Sequence, residues 1–158
     1  MDHGSSFALD LPDECATAAL AARVAARARQ GDVIALEGPL GSGKTSFARA
    51  FIRARCGGAG DVPSPTFTLV EIYAGDGPAI WHFDLFRISK PQEAWELGIE
   101  EAFADGISLI EWPERLGALL PRERLGIALA FAAEPDSRTA TVTPSPSWSE
   151  RAAELRHG

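Results

Sequence analysis

Basic charge is in short supply in this chain of 158 residues: 15 Lys and Arg stand against 22 Asp and Glu, for a formal net charge of −7. A broad nucleic-acid or anionic-membrane footprint needs Lys and Arg clustered on one face. Any dealing with nucleic acid is therefore expected to be indirect. Cysteine is scarcer still. Cys15 and Cys56 fall on separate predicted helices, with no Cys-x-x-Cys spacing and no accompanying His pair. Neither a zinc site nor a disulfide scaffold is indicated, and both are expected to be core thiols. No apolar run approaches membrane-spanning length. The opening Met1-Asp2-His3-Gly4-Ser5-Ser6 lacks the basic and apolar regions of a signal peptide, so a cytoplasmic protein without membrane contact is expected. There is no internal repeat.

The rarest base is lysine, with only Lys44 and Lys90 beside 13 arginines. A surface cation in this chain is ordinarily Arg, so the place of Lys44 matters. It lies in Gly38-Pro-Leu-Gly-Ser-Gly-Lys-Thr45, which fits the Gly-x-x-x-x-Gly-Lys-Ser/Thr pattern that wraps backbone around phosphates. Glycines let successive N–H groups turn toward an anion, and a helix opening at Lys44 adds its unpaired amides and positive dipole end. The phosphate-binding set is Gly38, Leu40, Gly41, Ser42, Gly43, Lys44, Thr45 and Ser46. Lys44 would reach the β and γ phosphates, and the Thr45 hydroxyl would hold Mg²⁺. The flanks agree: Val33 to Glu37 reads as a short apolar strand, and Ser46 onward has helical spacing with Phe47, Ala50 and Phe51 on one face.

Length allows one core of ordinary size, hence a single α/β domain over 1–158 with tails at 1–8 and 144–158 expected to pack loosely. Asp13 can cap a helix running to Arg29, with Gly31 as its stop. A Gly- and Pro-rich loop from Cys56 leads into Ser64-Pro-Thr-Phe-Thr68. Strands are expected at Phe67 to Ala74 and Ala79 to Phe83, paired antiparallel across Gly75-Asp-Gly-Pro78. A short helix starts at Pro91 with Trp95 and Leu97 inward and Gly98 as its stop, and Glu100 to Asp105 adds another turn. Ile107 to Ile110 reads as a buried strand and Pro113 to Leu120 as a helical turn or two. Leu125 to Ala132 and Thr139 to Thr143 form a second hairpin, so the sheet is mixed.

A phosphate loop needs an acid near Mg²⁺, usually at the end of a buried strand. Asp84 and Glu111 both qualify, each closing a strand of apolar character. One can hold the metal while the other positions or polarises the attacking water, and spacing alone does not assign the roles. Thr66 and Thr68 follow the Gly- and Pro-rich loop, where a γ-phosphate is sensed in switch loops. Arg87 can supply transition-state charge, although pairing with a nearby acid is the default for a single Arg. His82 alternates with Trp81 and Phe83 and so faces away from them, as a structural histidine with its hydrogen bonds satisfied rather than a base. Trp112, directly after Glu111, stands beside the site.

Three rival classes share the loop. A small-metabolite kinase would add an Arg-rich lid, for which Arg122 and Arg124 are the candidates. A GTPase would read guanine through Asn-Lys-x-Asp, but Lys90 sits in Ser-Lys-Pro-Gln. A nucleotide-gated binding module without useful turnover would use Asp84 and Glu111 only to hold Mg²⁺.

Four blocks in register, Gly38 to Thr45, Ser64-Pro-Thr-Phe-Thr-Leu-Val-Glu71, His82-Phe-Asp-Leu-Phe-Arg87 and Leu109-Ile-Glu-Trp-Pro-Glu114, resemble the TsaE family, also called YjeE. The resemblance covers roughly Leu11 to Leu120. It implies a P-loop NTPase-like three-layer sandwich with a mixed sheet and an ATPase needed for threonylcarbamoyladenosine formation in tRNA. It also implies action with TsaB and TsaD; with so acidic a chain, tRNA contact is expected only indirectly, and the chain alone is expected to be a monomer. The resemblance matches Lys44 and Thr45 to ATP binding, Thr45 and Glu111 to Mg²⁺, and Asp84 to an acid needed for activity. Pro39 departs from a commonly acidic position, and Phe67 and Phe86 stand where tyrosines are frequent.

Overall fold

A computed structural model describes residues 6–57, 69–75 and 77–156. The fold is a single α/β domain around one seven-stranded mixed sheet, in the order β1-β7-β6-β2-β5-β4-β3. Its centre is β2 (Val33–Glu37), running parallel to β5 (Ile107–Glu111) on one side and to β6 (Leu125–Phe131) on the other. β4 (Ile80–Asp84) continues the parallel set beside β5. Val-Ile-Ala-Leu and Ile-Ser-Leu-Ile are near-continuous apolar runs because these strands are buried on both faces. The edges are antiparallel: β3 (Val70–Tyr73) pairs with β4, β7 (Arg138–Pro144) with β6, and β1 (Phe7–Leu11) with β7.

One face of the sheet carries α1 (Glu14–Arg27) and α2 (Lys44–Cys56). Their Leu20, Val24, Phe47, Phe51 and Ile52 pack with Ile34, Leu36, Ile127 and Leu129 in the larger core. The opposite face carries α3 (Pro91–Trp95), α4 (Ile99–Asp105) and a 3₁₀ segment at Pro113–Leu119. They cover Val33, Trp81, Phe83 and Ile110 in a second core, which completes three layers. Asp13 caps α1 as expected, its Oδ1 accepting from Ala16 N at 2.8 Å. The helix ends at Arg27, short of Arg29.

Four expectations are corrected. The described parts of the tails are not loose: residues 7 and 8 lie in β1, and after β7 the chain forms a 3₁₀ turn at Pro146–Trp148 and α5 (Ser149–Ala153). Trp148, Ala152 and Leu155 are buried in the main core. Arg151 bridges to Asp32 at 2.6 Å, donates to the Arg27 carbonyl at 2.8 Å, and lies 3.8 Å above the Trp148 ring. At the other end, Arg156 stacks 4.6 Å over the Phe7 ring. Both cysteines are exposed rather than core, since each falls on the solvent side of its helix. Trp95 is 52% exposed because α3 buries Ala94 instead. Gly98 is not the stop of α3, which ends at Trp95 with Glu96 as its cap, but opens α4 from a left-handed conformation at φ 89°. The expected Ser64 to Thr68 segment, with Thr66, Phe67 and Thr68, lies outside the described residues, as does Asp76 of the first hairpin turn.

Candidate nucleotide site

Parallel strands end on the same sheet edge, so β2, β5 and β4 deliver their C-terminal residues side by side. Register pairs Leu36 with Glu111 and Glu111 with Asp84. The loop from Gly38 to Gly43 leaves β2 at this edge and enters α2 at Lys44. Gly38 is required by space as much as by its φ of 142°: an added Cβ would collide with the Leu129 carbonyl and the Ser42 hydroxyl. Gly43 opens α2 from φ 108°, a conformation that aims the first helical amides into the loop.

Lys44 is buried and folded onto its own loop. Its Nζ donates to the carbonyls of Gly38 at 2.5 Å and Pro39 at 3.0 Å, and stands 4.0 Å above the Trp112 ring. Burial pushes its ammonium below the usual lysine range, opposed by the charges of Glu111, Glu114 and Asp84. Thr45 Oγ1 donates to Glu111 Oε1 at 2.8 Å, and Glu111 is 3% exposed. A hydroxyl beside a carboxylate is an all-oxygen donor set, which suits a hard divalent cation such as Mg²⁺. Asp84 lies next to Glu111, and Phe86 N donates to its Oδ1 at 3.2 Å. Trp112 is held at φ 60°, in the left-handed region, with its ring 4.9 Å from that of Phe86.

These groups line a cleft of about 460 Å³ that also takes in Leu40, Gly41, Gly43, Ser46, Leu69, Phe86 and Arg87. The structure thus brings together Lys44, Thr45, Ser46, Asp84 and Glu111, and places Arg87 at the rim. Ser42 is fully buried and lines the other flank of the loop. Arg122 and Arg124 border a separate groove with Glu37 and Gly126, so the pair stands away from the phosphate cleft.

Burial raises Asp84 above the usual carboxylate range, the Phe86 N–H opposing it and the Glu111 charge adding to it. A carboxyl raised on folding binds its proton more tightly in the native state than in the unfolded chain. Its effect on stability is therefore most favourable at low pH and is lost as pH rises through the raised value. Asp84→Asn is expected to raise Tm at neutral pH by about 2 °C, a modest gain because the group is partly screened by solvent. The gain should shrink as pH falls into the carboxylate range. Thermal unfolding at several pH values checks this, and an unchanged Tm throughout would contradict it.

Two contacts are not legible in the sequence. Arg138, at the start of β7, donates from Nε to the Ser42 carbonyl at 3.2 Å and from Nη2 to the Gly41 carbonyl at 3.4 Å, with its guanidinium 4.7 Å over Phe131. Since C=O and N–H point opposite ways across a trans peptide, holding the Ser42 carbonyl outward turns the Gly43 amide inward. No local pattern announces this contact, which spans 96 residues. Arg138 also lines a second cleft of about 450 Å³ beyond the loop, with Asp13, Cys15, Thr17 and Asp136. His82 is the other. It faces away from Trp81 and Phe83, as alternation predicts, but only half its hydrogen-bonding capacity is met: Nε2 lies 2.7 Å from Glu111 Oε2, whereas Nδ1 is buried without a partner among the described residues.

A central parallel sheet, a glycine loop folded over the start of the following helix, and an acid bonded to that helix's threonine together define a P-loop NTPase fold with its nucleotide-binding loop. The family model described as "Threonylcarbamoyl adenosine biosynthesis protein TsaE" matches residues 11–140, and the chain belongs to that family. A protein of that name from Rickettsia bellii is 38% identical over 119 residues, covering 75% of this chain and 82% of the relative. Its counterpart in Bacillus subtilis is 39% identical over 133 residues, covering 84% and 80%. The crystal structure of Bacillus subtilis YdiB superposes with a TM-score of 0.79 at 29% identity, over 96% of this chain and 95% of that one.

Proposed function

We propose that the chain is an ATP-hydrolysing switch serving threonylcarbamoyladenosine formation at adenosine 37 of tRNAs, together with TsaB and TsaD, and that it is not the transferase. The observation that carries this reading is the cleft in which Lys44, the Thr45–Glu111 pair and Asp84 converge. Family membership supplies the pathway, and an acidic chain suits docking on protein partners better than on tRNA.

In this reading Lys44 exchanges its two loop carbonyls for β and γ phosphate oxygens, and the inward amides of the loop bind the phosphates. Thr45 and Glu111 would hold Mg²⁺, which when bound neutralises charge developing on the phosphates. Asp84, paired with Glu111 across adjacent strand ends in the same cleft, would position the attacking water, and its raised pKa suits it to accept a proton from that water. The second cleft lies on the other flank of the same loop and is the natural place for the base. Saturating ATP should therefore slow maleimide labelling of Cys15 about tenfold at a ligand concentration ten times Kd. Cys56, exposed but outside both clefts, should label at an unchanged rate. Equal protection of both thiols, or of neither, would move the base elsewhere.

The deciding experiment measures ATP hydrolysis by the pure chain, alone and with TsaB plus TsaD, alongside tRNA modification in a deletion strain. Partner-stimulated hydrolysis with lost modification is expected. Phosphoryl transfer to a small metabolite would instead favour a kinase, a reading already weakened because Arg122 and Arg124 do not line the phosphate cleft. Intact modification in the deletion strain would remove the pathway assignment.

A further inference from the structure

Both oxygens of Glu111 are engaged. Oε1 accepts from the Thr45 hydroxyl, and Oε2 meets His82 Nε2 at 2.7 Å, with His82 wholly buried. An ionised carboxylate can only accept, so Nε2 is the donor of this pair, while Nδ1 is buried without a partner among the described residues. A buried polar atom without a partner is destabilising. Leucine or methionine in this slot would carry no such penalty. The ring's one directed contact among the described residues is the carboxylate. Register explains the reach: His82 stands opposite Leu109 and Asp84 opposite Glu111, so His82 and Glu111 are diagonal neighbours on one face of adjacent strands.

We propose that His82 is a positioning residue that caps Glu111 Oε2 and fixes the carboxylate so that Oε1 is presented to Thr45 and the cation site. The inference rests on reading Glu111 as the metal-side acid. Glutamate has three rotatable side-chain bonds, and with Oε2 uncapped its carboxylate samples rotamers that turn Oε1 away from Thr45. Hydrogen-bond partners of this kind around metal-binding groups change metal affinity or activity by about 10–100-fold when removed.

The test uses the full chain with Mn²⁺ as probe, its affinity read by electron paramagnetic resonance in the presence of a nonhydrolysable ATP analogue. Three variants are compared with wild type. His82→Gln places an amide nitrogen near the site of Nε2, His82→Asn places one near Nδ1, and His82→Leu fills the space with neither. Asn and Leu should weaken Mn²⁺ binding about 10–100-fold, with Gln within about threefold of wild type. Affinity for the analogue without metal should be the same in all four. Wild-type Mn²⁺ affinity in Leu, or Gln as weak as Asn, would overturn the proposal. Should Leu fail to fold, the contrast between Gln and Asn still decides. If wild type itself holds no Mn²⁺ with nucleotide, the metal reading of Glu111 falls with the proposal. If wild type binds and Gln and Asn behave alike, only the role of His82 is lost.

Discussion

Lys44→Ala is expected to lower ATP turnover by at least about a hundredfold, the cost of removing one preorganised charge from a developing phosphate anion. Nucleotide affinity should fall with it, since charge-assisted hydrogen bonds are the strong ones. The folded site sharpens this expectation. Lys44 makes two loop hydrogen bonds and a cation–π contact with Trp112, so the variant also loses the internal brace of the nucleotide-free loop. Lys44→Arg should not rescue turnover, because a planar fork cannot stand where a compact ammonium meets two carbonyls over an indole. Steady-state hydrolysis with a fluorescent-nucleotide titration reads both effects. Wild-type turnover in either variant would remove Lys44 from the mechanism.

Trp148→Ala should be the most damaging change far from the cleft. The side chain is fully buried in the main core, and removing an aromatic of this size leaves a cavity with a loss of about 3–5 kcal/mol. For a chain of this length that lowers Tm by roughly 10 °C. A further loss follows, since Arg151, which ties α5 to Asp32, rests on the ring. Trp148→Phe should be far milder: the indole N–H has no hydrogen-bond partner among the described residues, so no donor interaction is forfeited. Thermal unfolding compares the two, and a loss under about 1 kcal/mol in the alanine variant would mean the tail is not part of the cooperative unit.

The contrast between these two residues shows what was readable from sequence. Lys44 sits in a local pattern whose chemistry requires that spacing, and the strands ending at Asp84 and Glu111 announce themselves as apolar runs. Their convergence follows from parallel topology once the order of elements is known. Trp148 lies in a stretch of Ser and Pro too short for helical periodicity, and its burial depends on the surface that α1 and β7 create. Arg138 and His82 were opaque for a related reason. Their partners, Ser42 and Glu111, are fixed by strand register and hairpin placement, and no motif encodes either. Cys15, Cys56 and Trp95 are exposed against the expectation from residue type, because in helices of modest amphipathicity the face decides burial.

The Phe7–Arg156 contact places the two ends of the described chain side by side. β1 runs from Phe7, beside Val142, toward Leu11, beside Arg138, while α5 is fastened to Asp32 at the foot of β2. Five strand residues, roughly 16 Å of β2, separate that foot from the phosphate loop. A surface tether attached at Phe7 or Arg156 would therefore leave from the pole opposite both clefts and keep the nucleotide face open to solution.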